Sequence, residues 1–205
     1  MITAEHVWKY YHNRVILRDI SLEIQTGAAL CLTAPSGSGK TTLFRILCGL
    51  ERPDRGKIKI TPPRPRWSVV FQEDRLLDSL DAEKNLKFAL GGDYDAEKSA
   101  NLLNALGLSD IKIKKAREYS GGMRRRLALA RALLSPSDIL ALDEPFTGLD
   151  MASRRDCLDA IRRYRDNRTL ILISHDKQDA AALDADLFNI LSPTRFPARC
   201  SVSPV

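Results

Sequence analysis

Three short stretches hold residue types that could do chemistry on a phosphorylated substrate. Ala34-Pro35-Ser36-Gly37-Ser38-Gly39-Lys40-Thr41 fits the spacing G-x-x-x-x-G-K-[ST] at every position but the first, where Ala34 replaces glycine. Small residues let a backbone wrap closely round an anion with its N–H groups turned inward. Lys40 brings a mobile positive charge to terminal phosphates, and Thr41 brings a hydroxyl suited to Mg²⁺. Asp143 and Glu144 follow the apolar run Ile139 to Leu142; adjacent acids at a strand end suit a metal shell and a water-activating base. Ser120, Gly121 and Gly122 open a strong helical pattern. They offer a second anion site of hydroxyl and backbone N–H groups, or a plain helix cap.

Each stretch has a plainer reading: a glycine-rich turn that binds nothing, or two exposed acids before a turn. Context decides against it. The phosphate loop follows the short apolar run Ala28 to Thr33, which reads as a buried strand, and precedes a helical pattern with Leu43, Ile46 and Leu47. Strand, loop, helix is the arrangement that puts the helix dipole behind a phosphate. With that loop in place, acids at the carboxyl edge of a sheet belong to the same site.

The elements that must position these residues follow from periodicity. Ile16, Leu17, Ile20, Leu22 and Ile24 read as one strand, and Lys57 to Ile60 and Trp67 to Phe71 as two more. Pro62, Pro63 and Pro65 make the segment between them a loop. From Leu76 to Ser135 the strand signal gives way to helical patterns at about 82–90, 95–106 and 121–134. Strand, helix, strand, helix and strand then follow at Ile139–Leu142, Met151–Tyr164, Thr169–Ile173, Asp176–Leu183 and near Leu187–Leu191. Alternation of this kind predicts a mostly parallel sheet, here interrupted by a helical insert. The chain reads as one α/β domain, with a core at about 1–75 and 136–192, an insert at about 76–135, and a tail at 193–205 expected as a surface extension.

Composition narrows the function classes. At 205 residues the chain is long enough for one compact core. Its 44% hydrophobic and 28% charged residues are an ordinary globular balance. Its apolar runs are far shorter than the roughly 20 residues that cross a membrane. The opening Met1 to His6 lacks a basic patch and apolar run, so a cytosolic protein is expected. Cys31, Cys48, Cys157 and Cys200 form no C-x-x-C pair and read as small buried side chains. The net charge of +6 is scattered. Its densest clusters, Arg124 to Arg126 and Arg162, Arg163 and Arg165, read as solvated helix faces, so no nucleic-acid partner is expected.

Taken in order, these motifs resemble the ATP-binding domain of ABC transporters from about Thr3 to Leu191. Tyr119 to Met123 resembles the family signature LSGGQ, with Tyr119 for Leu and Met123 for Gln. The resemblance implies a P-loop NTPase (RecA-like) fold with an inserted helical subdomain and a small antiparallel β part. It implies ATP and Mg²⁺ as ligands. Residues expected at nucleotide are Ser36, Gly37, Ser38, Gly39, Lys40, Thr41 and Thr42, with Ser120, Gly121 and Gly122 acting on the nucleotide of a second copy. Thr41, Gln72 and Asp143 are implied at the metal, and Glu144, Gln72 and His175 in catalysis. Asp150, in Thr147-Gly148-Leu149-Asp150, is implied at a dimer seam. Tyr11 resembles the aromatic that stacks on adenine, and Tyr10 could take that place instead.

By the same resemblance, two ATPase subunits pair head to tail, expected as a homodimer, and work with an integral membrane permease and a solute-binding protein. Family members dock on the permease through the region after Gln72, especially 73–90. Phe71 to Leu77 resembles the importers of nitrate, sulfonate and taurine, so import of a small solute at the inner face of the cell membrane is implied. The alternative is a soluble ATPase of iron–sulfur cluster assembly. Repair ATPases carry a long coiled coil where this chain has a short spacing between Gln72 and Ser120, and translation ATPases carry two such domains. A kinase or GTPase reading leaves Ser120 to Met123 and His175 unexplained.

Overall fold

The computed structural model describes residues 1–109 and 114–191, with the backbone of a short strand at 196–198. In chain order its elements are β1 (Ile2–Tyr11), β2 (Arg14–Ile24), β3 (Ala29–Thr33), α1 (Lys40–Leu47), β4 (Arg55–Ile60), β5 (Trp67–Val70), α2 (Ala82–Leu90), α3 (Ala96–Ala105) and α4 (Gly121–Leu134). There follow β6 (Ile139–Asp143), α5 (Met151–Tyr164), β7 (Thr169–Ile173), α6 (Lys177–Ala182), β8 (Asp186–Asn189) and β9 (Phe196–Ala198).

The continuous apolar runs become a five-stranded sheet in the order β5-β6-β7-β3-β8, with every pairing parallel. All five residues of β6 and of β7 are buried, because both faces of the sheet are covered. Successive side chains point to opposite faces. Leu30, Leu32, Ile139, Ala141, Ile171 and Ile173 therefore pack with Phe44 and Leu47 of α1 and with Val7, Leu17 and Ile20 of the second sheet. Cys31, Leu140, Leu142, Leu170 and Leu172 pack on the other face with Leu86, Leu102, Leu127, Leu129 and Ile161 from the helices. The helical segment thus shares a core with the sheet.

The second sheet has the order β4-β1-β2-β9, with β1 antiparallel to both β4 and β2. The expectation of a small antiparallel part holds, but the strand β1 itself was not legible. Its register shifts between Ala4 and Val7, between Val7 and Lys9, and between Lys9 and Tyr10, and His6 has φ 52°. Bulges of that kind erase the period-2 pattern that marks a strand. In the tail, Phe196–Ala198 pairs in parallel with Leu22–Ile24 at the edge of this sheet. Cys200 lies outside the described residues.

The cluster on α4 is not a solvated face, whereas Arg162 and Arg163 of α5 are exposed, as expected. Arg125 of α4 is buried, and Arg126 donates to the Leu106 carbonyl at 2.8 Å. Arg124 donates to the Ala116 carbonyl at 2.9 Å and to Asp78 at 2.7 Å. On α5, Arg162 donates to the Ala182 carbonyl, and Arg165 just beyond the helix donates to the Gly27 carbonyl. These guanidiniums satisfy loop carbonyls that lie outside any ladder.

Candidate functional site

A helix that receives an anion must present free N–H groups at its start. Asp81, Asp95, Ser120, Asp150 and Asp176 each cap their own helix with a side-chain oxygen. Among the described residues α1 differs: Gly39 is its N-cap, and no side chain bonds its first turn. Gly39 has φ 95°, and a Cβ there would lie 3.0 Å from both Ile16 and Leu17 side chains. Glycine is therefore required on two counts, backbone angle and space. Gly37 also has φ 76°. Ala34 is not among the residues with positive φ, so its Cβ carries no left-handed backbone strain.

Lys40 is buried, and its Nζ donates to the Ala34 and Pro35 carbonyls at 2.7 and 3.0 Å. Those bonds use two of the ammonium's three donors and hold the loop curled over its own charge. Ser38 lies within the loop, its Oγ buried without a hydrogen-bond partner.

The ends of the parallel strands complete a cleft of about 300 Å³. Tyr11, Ser36, Gly37, Gly39, Lys40, Thr41, Thr42, Gln72, Glu144 and His175 line it, together with Ile16, which sequence reasoning had not placed at the site. Tyr11, not Tyr10, faces the cleft; its hydroxyl donates to Glu51 at 2.6 Å. Tyr10 stacks instead on Trp8, with ring centroids 6.2 Å apart.

Glu144 follows β6 in the left-handed region, at φ 50°. Such a backbone is costly for a side chain with a Cβ and persists only where its surroundings hold it. Here its N–H donates to the Ile173 carbonyl at 3.1 Å, Oε2 accepts from Thr147, and Oε1 lies 2.8 Å from His175 Nε2. The turn thus swings Glu144 into the cleft while Asp143, the last residue of β6, stays inside.

Asp143 is 3% exposed, and its Oδ1 has no hydrogen-bond partner. Burial, helped by the charge of Glu144, pushes its carboxyl up to about 6, against the pull of Arg125, Lys40 and Arg45. A buried carboxylate oxygen without a partner beside a threonine-bearing phosphate loop fits a hard divalent cation.

Beneath His175 lies a network that spacing did not reveal. Ser174 Oγ donates to Asp179 at 2.5 Å, Asp179 accepts from Arg154 at 2.7 Å, and Arg154 also donates to Asp176 at 2.7 Å. Arg154 stands on α5, more than 20 residues before Asp176 and Asp179, so no local spacing signals the network.

Ser120, Gly121, Gly122 and Asp150 do not join this cleft. They line a separate groove of about 450 Å³ with Thr147, Gly148 and Leu149. Ser120 Oγ accepts from the Met123 N–H at 3.2 Å, so the cap reading holds for it within one chain. Asp150 accepts from the Ser153 N–H at 2.8 Å and from its hydroxyl at 3.0 Å. A Cβ on Gly122 would press on Leu149 at 3.3 Å, whereas one on Gly121 would meet nothing within 4 Å. The start of α4 therefore presents an open backbone surface.

Comparison with known proteins places this geometry. The ABC transporter family model matches residues 17–147. An aliphatic sulfonates import ATP-binding protein of Burkholderia lata is 38% identical over 195 residues, covering 90% of this chain and 70% of that protein. A taurine import ATP-binding protein of Yersinia pestis is 33% identical over 205 residues, covering 94% and 80%. The dimeric post-hydrolysis state of the ATP-binding cassette MJ0796, bound to ADP and Pi, superposes with a TM-score of 0.76 at 26% identity, covering 89% of this chain and 91% of that one.

Proposed function

We propose, since the chain belongs to the ABC transporter family, that it binds and hydrolyses ATP and so powers solute movement through a separate membrane permease. The convergence of Lys40, Gln72, Glu144 and His175 on one cleft carries this reading. The phosphate loop and Lys40 hold the β- and γ-phosphates, and Tyr11 stacks on the base. Glu144 takes the proton of the attacking water, and His175, held at 2.8 Å from it, fixes its orientation and reaches the terminal phosphate. Most of the acceleration is positioning and charge stabilisation.

Thr41, Gln72 and Asp143 are the residues that would hold Mg²⁺, with the unpartnered Asp143 oxygen supporting that role. When bound, the ion supplies positive charge to the phosphate oxygens. By the family resemblance Ser120, Gly121 and Gly122 act on the nucleotide of a second copy, a role supported by their lining a groove apart from the phosphate cleft. Two copies then pair head to tail with ATP between them, and Asp150 stands at the seam.

No helix among the described residues is long and apolar enough to cross a membrane, so the membrane path is assigned to the permease. The matched relatives are named for import of aliphatic sulfonates and taurine. We take import of a small solute of that kind as the function, with the subunit on the inner face of the membrane. The cluster-assembly alternative is not favoured beside those relatives. The test is a phosphate-release assay joined to affinity capture from gently solubilised membranes. Phosphate release and a co-purifying multi-span permease support the reading. Phosphate release with only soluble partners overturns the transport role and leaves the ATPase.

A further inference from the structure

The loop after β5 has no ladder to satisfy its carbonyls, and one helix supplies the donors instead. Arg125 of α4 donates through Nη1 to the Phe71 carbonyl at 2.6 Å and through Nη2 to the Gln72 carbonyl at 2.5 Å. Its Nη1 also lies 3.2 Å from Asp74 Oδ1. Two turns on, Arg131 donates to the Arg75 and Asp74 carbonyls at 2.7 and 3.0 Å. Arg124 lies 3.8 Å from the other Asp74 oxygen. The backbone of 71–75 is thus fixed by guanidiniums of a single helix, and Arg125 is 9% exposed.

This placement joins the two polar surfaces. Gln72 lines the phosphate cleft, while Asp74 and Arg125 line the groove that also holds Ser120, Gly121 and Gly122. Ser120 and Arg125 stand on one short stretch of α4, at its cap and in its second turn. A planar fork that serves two successive carbonyls is a task for arginine; lysine, a point charge on a flexible stem, serves one at a time.

We infer that Arg125 is a positioning residue that sets Gln72 in the phosphate cleft and ties it to the Ser120 surface, so that both surfaces close on nucleotide as one unit. The inference rests on the ATPase reading above. Arg125 touches no reacting atom in this arrangement; it acts through the backbone of residues 71 and 72. Removing the fork leaves the phosphate loop whole, so nucleotide still binds one copy, but Gln72 and Ser120 no longer move together. Turnover falls, and the affinity of a single copy does not.

The test compares the parent protein with Arg125→Gln and Arg125→Lys, using direct ATP titration, steady-state kcat and KM, and the thermal midpoint. The expected result for Arg125→Gln is a fall in kcat of about tenfold or more, with single-copy ATP affinity within about twofold of the parent. Arg125→Lys recovers less than half of the lost kcat, because charge returns without the fork. Unchanged kcat in Arg125→Gln, measured below its thermal midpoint, means a purely structural side chain and overturns the inference alone. Full recovery by lysine overturns the fork argument. A loss of ATP affinity as large as that of Lys40→Ala means collapse of the cleft and also overturns it. A parent protein that neither binds nor hydrolyses ATP overturns the function and this inference together.

Discussion

The phosphate cleft and the Ser120 groove are both polar, yet their electrostatics differ. The cleft gathers the ends of β3, β5, β6 and β7 with residues of β1 and β2, so its groups meet only in the folded chain. Its demands are incompletely met: α1 has no side-chain cap, Asp143 Oδ1 has no partner, and Glu144 sits in a left-handed backbone. In the groove, Ser120 and Asp150 each satisfy the helix they begin, and Asp74 Oδ1, without a hydrogen bond, is met by the Arg125 guanidinium at 3.2 Å. A surface with unmet electrostatic demand is suited to hold and transform a charged guest. A surface that is locally satisfied and open, as at Gly121, is suited to recognise a guest held elsewhere. That contrast is what the proposed division of labour between two copies would require of one chain.

The sharpest way to break this comparison is at Glu144. Glu144→Gln keeps the size and the carbonyl but removes the base, so kcat falls at least about 100-fold while ATP still binds. With both nucleotides retained, the variant accumulates as an ATP-bound dimer, visible by size-exclusion chromatography. A variant that hydrolyses at the parent rate would show that the base lies elsewhere. Lys40→Ala comes next. It removes the charge beneath the loop and both loop-curling bonds, so ATP affinity falls by about tenfold or more in a calorimetric titration. Unchanged affinity would sink the phosphate-loop assignment.

The same contrast explains what was legible in the sequence. Helix and strand positions followed from periodicity because the core is regular: α5 and β7 occupy the residues their apolar spacing gave. The loop and the Asp143-Glu144 pair were legible because their chemistry is local and their spacing fixed. The groove was less so. Ser120 is a helix cap on any local reading, and its likeness to a family signature was needed to see more. Arg125 and Arg154 were misread or missed because their partners, Phe71 and Asp179, lie far along the chain. A run of arginines on a helix has the same appearance whether its guanidiniums face water or loop carbonyls.

Ser120→Ala sharpens the distinction between the surfaces. Loss of the cap costs about 1 kcal/mol of stability, read as a lower thermal midpoint. In a Glu144→Gln background it also weakens the ATP-dependent dimer, while the ATP affinity of one copy stays unchanged. Should single-copy affinity fall as in Lys40→Ala, the two surfaces would not be separate in function.

The smallest expected effect concerns Asp143, and its sign follows from linkage. The folded carboxyl titrates near 6, raised chiefly by burial from an ordinary value of 3.8. Between those values the folded chain binds more protons than the unfolded one, so stability declines as pH rises through that window. Above it the buried carboxylate is charged, and the full cost of its desolvation is present. Asp143→Asn keeps the shape without the charge. In metal-free buffer at pH 8 it should raise the thermal midpoint by about 4 °C, and at pH 4 it should lose most of that gain. Mg²⁺ together with ATP should stabilise the parent more than the variant, since a cation offsets the buried charge only where there is one. A midpoint difference that ignored pH would mean that Asp143 is already satisfied in the folded chain. The contrast between an unmet cleft and a satisfied groove would then lose one of its main supports.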